Sequence, residues 1–475
     1  MNANETLENT KKLLKKHNQS HLLTFWGQLG TAERRNLLAQ IRQLDLAKID
    51  GWVANFVKKS FSTEINADLV PAKSYSYVPD EPAKKSKYNK AVKLGKELIL
   101  AGKVAALVVA GGQGTRLGFD GPKGDFPISP VKKKTLFQIF AENIKAVSER
   151  YQTSCPWYIM TSPLNYTETK KIFRVNNYYG LKKSDVFIFQ QGTLPNFSFD
   201  GKILLADKAN IASSPDGHGG CLKALCESGA VDDMKKRGIE LLSYWQVDNP
   251  LVNIFDPLFI GLHVLDQAEM SSKALIKARP KEKVGNFCLA DSKVAVIEYS
   301  DFPDKLAKRQ NPDGSLLFQL GSIAIHIISV RFIKRLNAEG ISLPLHRAVK
   351  KIPFIDEQGR FINPDEPNGI KLETFIFDAL PLASKSIILQ TLRSEEFAPT
   401  KNKTGVDSVK TTRQMMIARA ADWLESAGVV IPRKADGSAD CTIEIAPSFA
   451  LTKEDIKAKL NQIPQIKPKD EIYLA

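Results

Sequence analysis

Short apolar runs that end in polar or glycine-rich segments recur through the middle of the chain and alternate with helical patterns. They cover residues 104–110, 157–160, 186–189, 241–247 and 274–278. Continuous apolar runs of this length are typical of strands that are buried on both faces, as in a parallel sheet covered by helices. Ligands of such sheets bind at the carboxyl ends of the strands, so the residues just after each run are the first candidates for function.

The two ends of the chain have a different pattern. Apolar residues between positions 22 and 44 recur at three- and four-residue spacing, which predicts amphipathic helices up to about residue 60. Residues 61–87 are rich in Pro, Ser and Lys and lack periodicity, which predicts a connector. After residue 385, a polar loop, a helix rich in Met and Ala, and strand candidates at 429–432 and 441–446 predict a small C-terminal domain. The expected division is an N-terminal helical segment with its connector (1–95), a central α/β domain (96–385) and the small C-terminal domain (386–475).

Composition narrows the class of protein. The chain has 475 residues, of which 43% are hydrophobic and 25% are charged, as in a globular protein with a large core. Lys and Arg outnumber Asp and Glu by 67 to 52, and this net charge of +15 is compatible with nucleotide phosphates, nucleic acid or anionic lipid as partners. The lysine clusters are typical of solvated helix faces and no recognition motif accompanies them, so we expect no nucleic-acid partner. Five scattered cysteines and the lack of a long apolar segment predict a reduced, cytoplasmic protein without a membrane span.

The strongest local signal follows the first apolar run. Residues 104–124 read VAALVVAGGQGTRLGFDGPKG, in which four glycines within eight residues stand beside Arg116 and Lys123. Glycines after a strand let backbone N–H groups approach phosphate oxygens, and the two cations supply the opposite charge. We interpret this segment as a triphosphate-binding loop; the alternative is a turn that serves only the topology of the sheet. It is neither a Walker A loop nor a dinucleotide fingerprint, because Gly-Lys-Ser/Thr is absent and the third glycine is one residue late.

Other strand ends carry weaker signals with open alternatives. Asp248 could hold Mg²⁺ against phosphate oxygens, or it could cap the next helix. Gln191 could pair with a base edge, or it could be an ordinary polar loop residue. His218 lies in the loop SSPDGHGG. Its pattern favours contact of the loop backbone with a ligand over catalysis by a lone histidine. Phe375 and Phe377 favour core positions from their pattern alone.

Taken together, these segments resemble the eukaryotic-type UDP-N-acetylhexosamine pyrophosphorylases, within the UDP-sugar pyrophosphorylase superfamily. The matching segments are, in chain order, HLLTFW (21–26), AGGQGTRLG (110–118), PKG (122–124), KTLFQI (134–139), MTSPLNYTETKKIF (160–173), FQQGTLPNFSFDGKILL (189–205), PDGHGG (215–220), VDN (247–249), VIEYSD (296–301), KKIPFID (350–356), PNGIKLETFIFD (367–378) and FAPTKN (397–402). The resemblance implies an α/β fold with a Rossmann-like nucleotidyltransferase core and a mixed, mainly parallel sheet. It also implies a reaction that joins UTP to a sugar 1-phosphate and releases pyrophosphate.

The resemblance further implies a role for each matched residue. UTP is bound through the backbone of Gly111, Gly112 and Gly114, and the uracil edge is read by Gln191 and Gly217. The leaving phosphates face Arg116 and Lys123, Mg²⁺ or Mn²⁺ is bound by Asp248, and the phosphate of the second substrate is reached by Lys401. The sugar site is lined by Gly285, Glu298, Phe375 and Phe377.

Two positions depart from the family pattern. His218 stands where the family has an asparagine after PDG, and residues 321–325 read GSIAI where the family has GNIAN, so Ser322 and Ile325 replace two amides on the sugar side. The predicted substrates are UTP and N-acetylglucosamine 1-phosphate, with relaxed selectivity for the sugar. The alternatives are a UDP-glucose pyrophosphorylase, a broad UDP-sugar pyrophosphorylase, or a non-catalytic sugar-nucleotide sensor. The sequence gives no indication of protein partners.

Overall fold

A computed structural model describes residues 3–59 and 69–475. Part of the predicted connector, residues 61–68, lies outside the described residues. The α-helices are α1 (Ala3–Lys16), α2 (Thr31–Gln43), α3 (Leu46–Trp52), α4 (Pro82–Leu100), α5 (Leu136–Tyr151), α6 (Tyr166–Val175), α7 (Cys221–Glu227), α8 (Ala230–Arg237), α9 (Pro257–Leu265), α10 (Asp304–Ala307), α11 (Val330–Ala338), α12 (Arg393–Glu396), α13 (Val409–Ser426) and α14 (Lys453–Lys457). The strands are β1 (Val70–Pro71), β2 (Val104–Val109), β3 (Trp157–Thr161), β4 (Val186–Gln190), β5 (Thr193–Pro195), β6 (Phe197–Ser198), β7 (Leu205–Asp207), β8 (Asn210–Ile211), β9 (Ser213–Pro215), β10 (Leu241–Gln246), β11 (Met270–Ile276), β12 (Gly285–Ala290), β13 (Lys293–Ile297), β14 (Leu320–Ser329), β15 (His346–Lys350), β16 (Phe354–Ile355), β17 (Phe361–Ile362), β18 (Gly369–Glu373), β19 (Ser386–Gln390), β20 (Thr442–Ile445) and β21 (Glu471–Leu474).

The chain forms two compact units, each built from separate stretches of sequence. The described part of the smaller unit comprises residues 3–59, 192–220 and 343–376, and that of the larger unit comprises 69–191, 221–342 and 377–475. The N-terminal helical segment therefore shares a unit with later segments of the chain. The division expected from the sequence, with boundaries near 95 and 385, is of a different kind and stays a prediction.

A mixed sheet organises the larger unit. Its main strand order is β1-β12-β14-β10-β2-β3-β4, with β13 beside β12, and β11 joining β14 to β19. The pairs β10–β2, β2–β3 and β3–β4 are parallel, whereas β14 runs antiparallel to β10. The apolar runs at 104–110, 157–160, 186–189, 241–247 and 274–278 coincide with five of these strands. The predicted mixed α/β sheet is therefore confirmed; its parallel part comprises β10, β2, β3 and β4, with a separate parallel pair of β11 and β19.

Helices cover this sheet because they present apolar faces to it. The central cluster holds Trp157 and Trp245 with their rings stacked at 6.5 Å, and Phe140 meets both edge-on. Trp157 belongs to β3 and Trp245 to β10, the two strands that flank β2. The small Ala106 of β2 leaves room for the large rings. Burial of large aromatic side chains on both sides of a strand fixes its register, since a slip of one residue would reverse every side chain.

The smaller unit combines the predicted N-terminal helices with short strands. Leu22, Phe25, Leu37 and Ile41 are buried there, which confirms the amphipathic pattern. Strand β18 pairs with β15 and β6 in one small antiparallel sheet. Most of the strands in this unit have two to five residues, too short for an alternating pattern to predict them.

Two local predictions are wrong. Helix α4 already begins at Pro82, so the connector does not extend to residue 87; a proline fits the first turn of a helix. Residues 429–432 form no strand within the described C-terminal region, whereas β20 covers most of the other candidate, 441–446. The predicted Met- and Ala-rich helix is α13, whose Ser408 cap accepts a hydrogen bond from the Thr411 N–H.

The five cysteines are free thiols. None of the helices in residues 3–59 and 69–475 combines the length and the apolarity that crossing a bilayer requires.

Candidate functional site

The carboxyl ends of the parallel strands bring the predicted nucleotide residues of the larger unit to one edge of the sheet. Gly111 follows β2, Gln191 follows β4 and Asp248 follows β10. The Gln191 N–H donates to the Thr161 carbonyl at 2.8 Å, which ties the ends of β4 and β3. A Cβ on Gly111 would lie 2.4 Å from Gln191 Oε1, so glycine lets the loop approach this buried amide without displacing its side chain.

The glycine loop is closed by its own backbone. The Gly114 N–H donates to the Gly121 carbonyl at 2.9 Å, and the Lys123 N–H donates to the Gly112 carbonyl at 3.1 Å. Gly118 and Gly121 have φ values of 72° and 144°, which glycine adopts without strain. The loop is thus a fixed hairpin-like structure that directs Arg116 and Lys123 from the two short 3₁₀ turns Thr115–Leu117 and Lys123–Asp125.

A buried asparagine from the next strand end also holds this loop, and no sequence motif predicted a role for it. Asn165 Nδ2 donates to the carbonyls of Ala110 at 2.9 Å and Gly112 at 3.3 Å. Its Oδ1 accepts from the Ser162 N–H at 2.9 Å. The only signal in the sequence was its position within the MTSPLN segment that follows an apolar run.

Two lysines, Lys123 and Lys401, act on the carboxylate at the end of β10, and Arg116 adds a third positive charge near Lys123. Lys123 Nζ lies 3.6 Å from Asp248 Oδ2, and both residues are only 8% exposed. Burial lowers the pKa of Lys123; Asp248 acts in the opposite direction, and the charges of Arg116 and Lys401 lower it further. Burial raises the pKa of Asp248, but Lys123 and Lys401 outweigh it and hold that pKa below its ordinary value. The three cations outnumber the two carboxylates that pair with them, Asp248 and Asp407, so an excess of positive charge remains, as an anionic ligand requires.

Of these cations, Lys401 lies on a loop that is held in two places. The Lys401 N–H donates to the Asp407 carbonyl at 2.7 Å, and its Nζ lies 3.7 Å from the Asp407 carboxylate. The Thr400 N–H donates to the Asp248 carbonyl at 2.8 Å, which brings the loop beside β10. The neighbouring Lys403, which the sequence analysis did not single out, donates its N–H to the Arg116 carbonyl at 3.1 Å.

Asp248 is not a helix cap. The next helix, α9, is capped by Asp256, whose side chain accepts from the Leu258 N–H. The described residues contain no cluster of three or more His, Cys, Asp or Glu side chains that could hold a metal ion alone. A single buried carboxylate fits Mg²⁺ that is held mainly by substrate phosphate oxygens and water.

The predicted sugar residues of the larger unit lie along β12 and β14. Gly285 pairs with Ser322 in the ladder, and a Cβ on Gly285 would meet Val296 at 2.5 Å. The ladder between β11 and β14 is interrupted by a bulge, at which Ala324 has a φ of 54°. Because β14 runs antiparallel to β10, this end of β14 lies at the edge where Asp248 is found.

Three further sugar-side residues differ in exposure. Ile325 is 1% exposed and belongs to the core. Glu298 follows β13 and is half-buried. Phe377 is 5% exposed and begins the larger unit's last stretch of chain.

The smaller unit contains the other predicted residues. Gly217 has a φ of 87°, and a Cβ there would lie 2.3 Å from the Thr374 carbonyl, so the PDGHGG loop packs tightly against the chain after β18. The His218 ring stacks on Phe375 at 5.3 Å, and His346 stacks on Phe375 at 4.3 Å. Because His218 Nδ1 accepts from the Ile376 N–H at 3.2 Å, the neutral ring carries its proton on Nε2. Half-buried Phe375 is therefore part of an aromatic stack, and His346 is a member that the sequence did not reveal.

A glycine loop and a cluster of cations at the carboxyl edge of a parallel sheet define an α/β nucleotide-binding protein. A family model described as UTP–glucose-1-phosphate uridylyltransferase matches residues 55–474, and the chain belongs to this family of uridylyltransferase enzymes.

Named relatives agree with this family. The chain is 34% identical to the UDP-N-acetylhexosamine pyrophosphorylase-like protein 1 of Homo sapiens, over 98% of this chain and 97% of the human one. It is 37% identical to the UDP-N-acetylglucosamine pyrophosphorylase of Saccharomyces cerevisiae, over 90% and 92% of the two chains. A crystal structure of the Trypanosoma brucei UDP-N-acetylglucosamine pyrophosphorylase with an inhibitor matches at a TM-score of 0.82 and 26% identity, over 99% of this chain and 98% of that one. The predicted family and nucleotidyltransferase fold are confirmed.

Proposed function

We propose that this uridylyltransferase joins UTP to N-acetylglucosamine 1-phosphate and releases pyrophosphate. The proposal is supported above all by four side chains that lie together beside the glycine loop: Arg116, Lys123, Lys401 and Asp248. Such a set neutralises phosphate charge and provides one ligand for a divalent cation. The names of the human, yeast and trypanosome relatives support the N-acetylated sugar.

In the proposed reaction, an oxygen of the sugar 1-phosphate attacks the α-phosphorus of UTP in line with the leaving pyrophosphate. A phosphate is already a nucleophile at neutral pH, so no side chain must remove a proton. The protein therefore contributes orientation and charge neutralisation. When bound, Mg²⁺ or Mn²⁺ would be held by Asp248 and would supply further positive charge against the substrate phosphates.

Each residue has a defined task in this proposal. The backbone of Gly111, Gly112 and Gly114 binds the nucleotide, Arg116 and Lys123 face the leaving phosphates, and Lys401 binds the phosphate of the sugar. Asp248 is the protein ligand of the metal. In the larger unit, Gln191 reads uracil, and the sugar is bound by Gly285, Glu298, Ser322 and Phe377. In the smaller unit, the proposed role of Gly217 is uracil recognition, and that of His218 and Phe375 is sugar binding. We also propose a cytoplasmic location, which the five free thiols support.

The preferred sugar 1-phosphate depends on a few side chains along β12 and β14. Gly285 matches the N-acetylhexosamine enzymes, whereas Ser322 and Ile325 provide fewer hydrogen bonds than the family's amides. We therefore expect N-acetylglucosamine 1-phosphate to exceed glucose 1-phosphate in kcat/KM by roughly ten- to two-hundredfold.

Initial rates of pyrophosphate release with UTP, Mg²⁺ and each sugar 1-phosphate test this expectation. Ser322→Asn should widen the ratio, because it restores an amide, and exposed Ser184→Asn on the other side of the sheet serves as control. A higher kcat/KM for glucose 1-phosphate would assign the enzyme to UDP-glucose synthesis. Absence of pyrophosphate release with every sugar would favour a sensor.

A further inference from the structure

Asn165 occupies a helix cap position but does not cap its helix. It directly precedes α6, where an asparagine side chain ordinarily accepts a hydrogen bond from a backbone N–H of the first helical turn. Here the side chain makes no capping bond; its Oδ1 instead accepts from the Ser162 N–H at 2.9 Å and from the Ser162 hydroxyl at 3.2 Å. The side chain is thus oriented for a different task.

That task involves the glycine loop. With its Oδ1 fixed by Ser162, the amide presents both Nδ2 hydrogens to the loop and donates to the carbonyls of Ala110 and Gly112. Asn165 is only 1% exposed, so water does not compete for these bonds. One side chain thereby holds the two carbonyls that flank Gly111.

Fixing these carbonyls also fixes two N–H groups. The described chain has no cis peptide bond, and in a trans peptide the carbonyl and the following N–H point in opposite directions. Because the Ala110 and Gly112 carbonyls both point to Asn165, the N–H groups of Gly111 and Gln113 both point away from it. Two N–H groups on one face of a glycine loop are suited to a phosphate or another anionic oxygen.

We infer that Asn165 is a positioning residue for UTP: it orients the glycine loop so that the Gly111 and Gln113 N–H groups face the nucleotide. The inference rests on the proposed function, which assigns this loop to UTP. Asn165 does not touch the nucleotide. A purely structural link between β2 and β3 would make the same bonds, so the test must separate nucleotide affinity from stability.

The test uses two variants with different chemistry. Asn165→Asp keeps the shape of the side chain but replaces the donor with an oxygen that repels the two carbonyls. Asn165→Ser is neutral, carries a single proton and is too short to reach both carbonyls. Asn176→Asp is the matched control, because Asn176 Nδ2 donates to the Ile172 carbonyl at 2.9 Å at the other end of the same helix.

We expect the dissociation constant of UTP, measured by calorimetry with Mg²⁺, to rise about tenfold to a hundredfold in both Asn165 variants. The KM for the sugar 1-phosphate at saturating UTP should stay within about twofold, since the loop does not bind the sugar. Asn176→Asp should leave both values unchanged. In Asn165→Asp, UTP affinity should recover as the pH falls, because a protonated carboxyl can again donate to one carbonyl.

Three results would overturn the inference. UTP affinity within twofold of the wild type in a folded variant would mean that the loop does not depend on Asn165. Equal losses for UTP and sugar 1-phosphate, or failure of both variants to fold, would make Asn165 a purely structural residue. Failure of the wild type itself to bind UTP would instead remove the proposed function on which the inference rests.

Discussion

At the scale of single residues, the structure brings residues that the sequence predicted separately into one charged site. Lys123 and Asp248 were expected at different strand ends, and they lie 3.6 Å apart in a buried pair. Arg116 differs from them because its side chain is exposed. A positive charge that no protein group neutralises is the best candidate for binding the negative charge of the substrate.

Arg116→Ala should therefore separate activity from stability. We expect the variant to lose about a hundredfold or more in kcat, since Arg116 is proposed to meet charge that builds up on the leaving pyrophosphate. The melting temperature should stay near that of the wild type, because an exposed side chain is removed. Arg331→Ala, also exposed, is the control for an unspecific charge effect. Near-normal turnover of Arg116→Ala would contradict the assignment.

The metal proposal gives a second residue-level test. Asp248→Asn keeps the shape but removes the charge that holds a hard cation, so the Mg²⁺ concentration for half-maximal rate should rise. Asp80→Asn is a suitable control, since Asp80 also pairs with a lysine, Lys84, but at the surface. An unchanged Mg²⁺ titration for Asp248→Asn would mean that substrate phosphates alone hold the ion.

The lowered pKa of Lys123 predicts the pH dependence of the reaction. The charged lysine is the form that binds phosphate, so activity is present below the lowered pKa and is lost as pH rises through it. The alkaline limb of kcat/KM should therefore fall at a lower pH than an ordinary lysine would give. Lys123→Arg should move this limb to higher pH, because the guanidinium stays charged. Superimposable alkaline limbs for the two proteins would show that another group titrates.

At the scale of elements, close helix packing supports the sheet that carries the site. Helices α4 and α9 cross through small residues: a Cβ on Gly95 would lie 1.9 Å from the Pro257 carbonyl oxygen, and one on Gly261 would lie 1.8 Å from that of Ala91. A backbone atom cannot move aside as the end of a side chain can. The two glycines therefore set the distance between the helices.

Gly95→Ala and Gly261→Ala should each lower the free energy of unfolding by about 1–3 kcal/mol or more, because the helices must separate. Gly51→Ala is the control: Gly51 lies in helix α3 with no atom within 4 Å of a new Cβ, and it should gain about 0.5–1 kcal/mol. Urea denaturation of the three variants measures these differences. Equal stability of Gly95→Ala and the wild type would contradict the packing.

The elements also explain how far the sequence could predict the structure. Strands β2, β3 and β10 were predictable because burial on both faces leaves continuous apolar runs; β4, at the end of the sheet, is mostly half-buried but also has an apolar run. Residues 429–432 were wrongly predicted as a strand, since a short apolar run carries no information on pairing. Asn165 was missed for a related reason: its long-range bonds to the Ala110 and Gly112 carbonyls leave no periodic pattern.

At the scale of the whole molecule, motif order was more informative than composition. A net charge of +15 allowed several polyanions, whereas the ordered motifs from 21–26 to 397–402 indicated one family, which the match over residues 55–474 confirms. The identity of the sugar could not be predicted with the same certainty, because it depends on single side chains such as Ser322. Uridylyl transfer itself is indicated by the whole set of motifs.

An isotope experiment that traces the phosphate oxygen atoms tests uridylyl transfer most directly. Purified protein is mixed with UTP, Mg²⁺ and N-acetylglucosamine 1-phosphate whose phosphate oxygens carry ¹⁸O, and the products are observed by ³¹P NMR. In-line attack by the sugar phosphate on the α-phosphorus predicts UDP-N-acetylglucosamine with ¹⁸O in the bridge between its two phosphorus atoms, together with unlabelled pyrophosphate. Label in the pyrophosphate, or no UDP-sugar at all, would contradict the account.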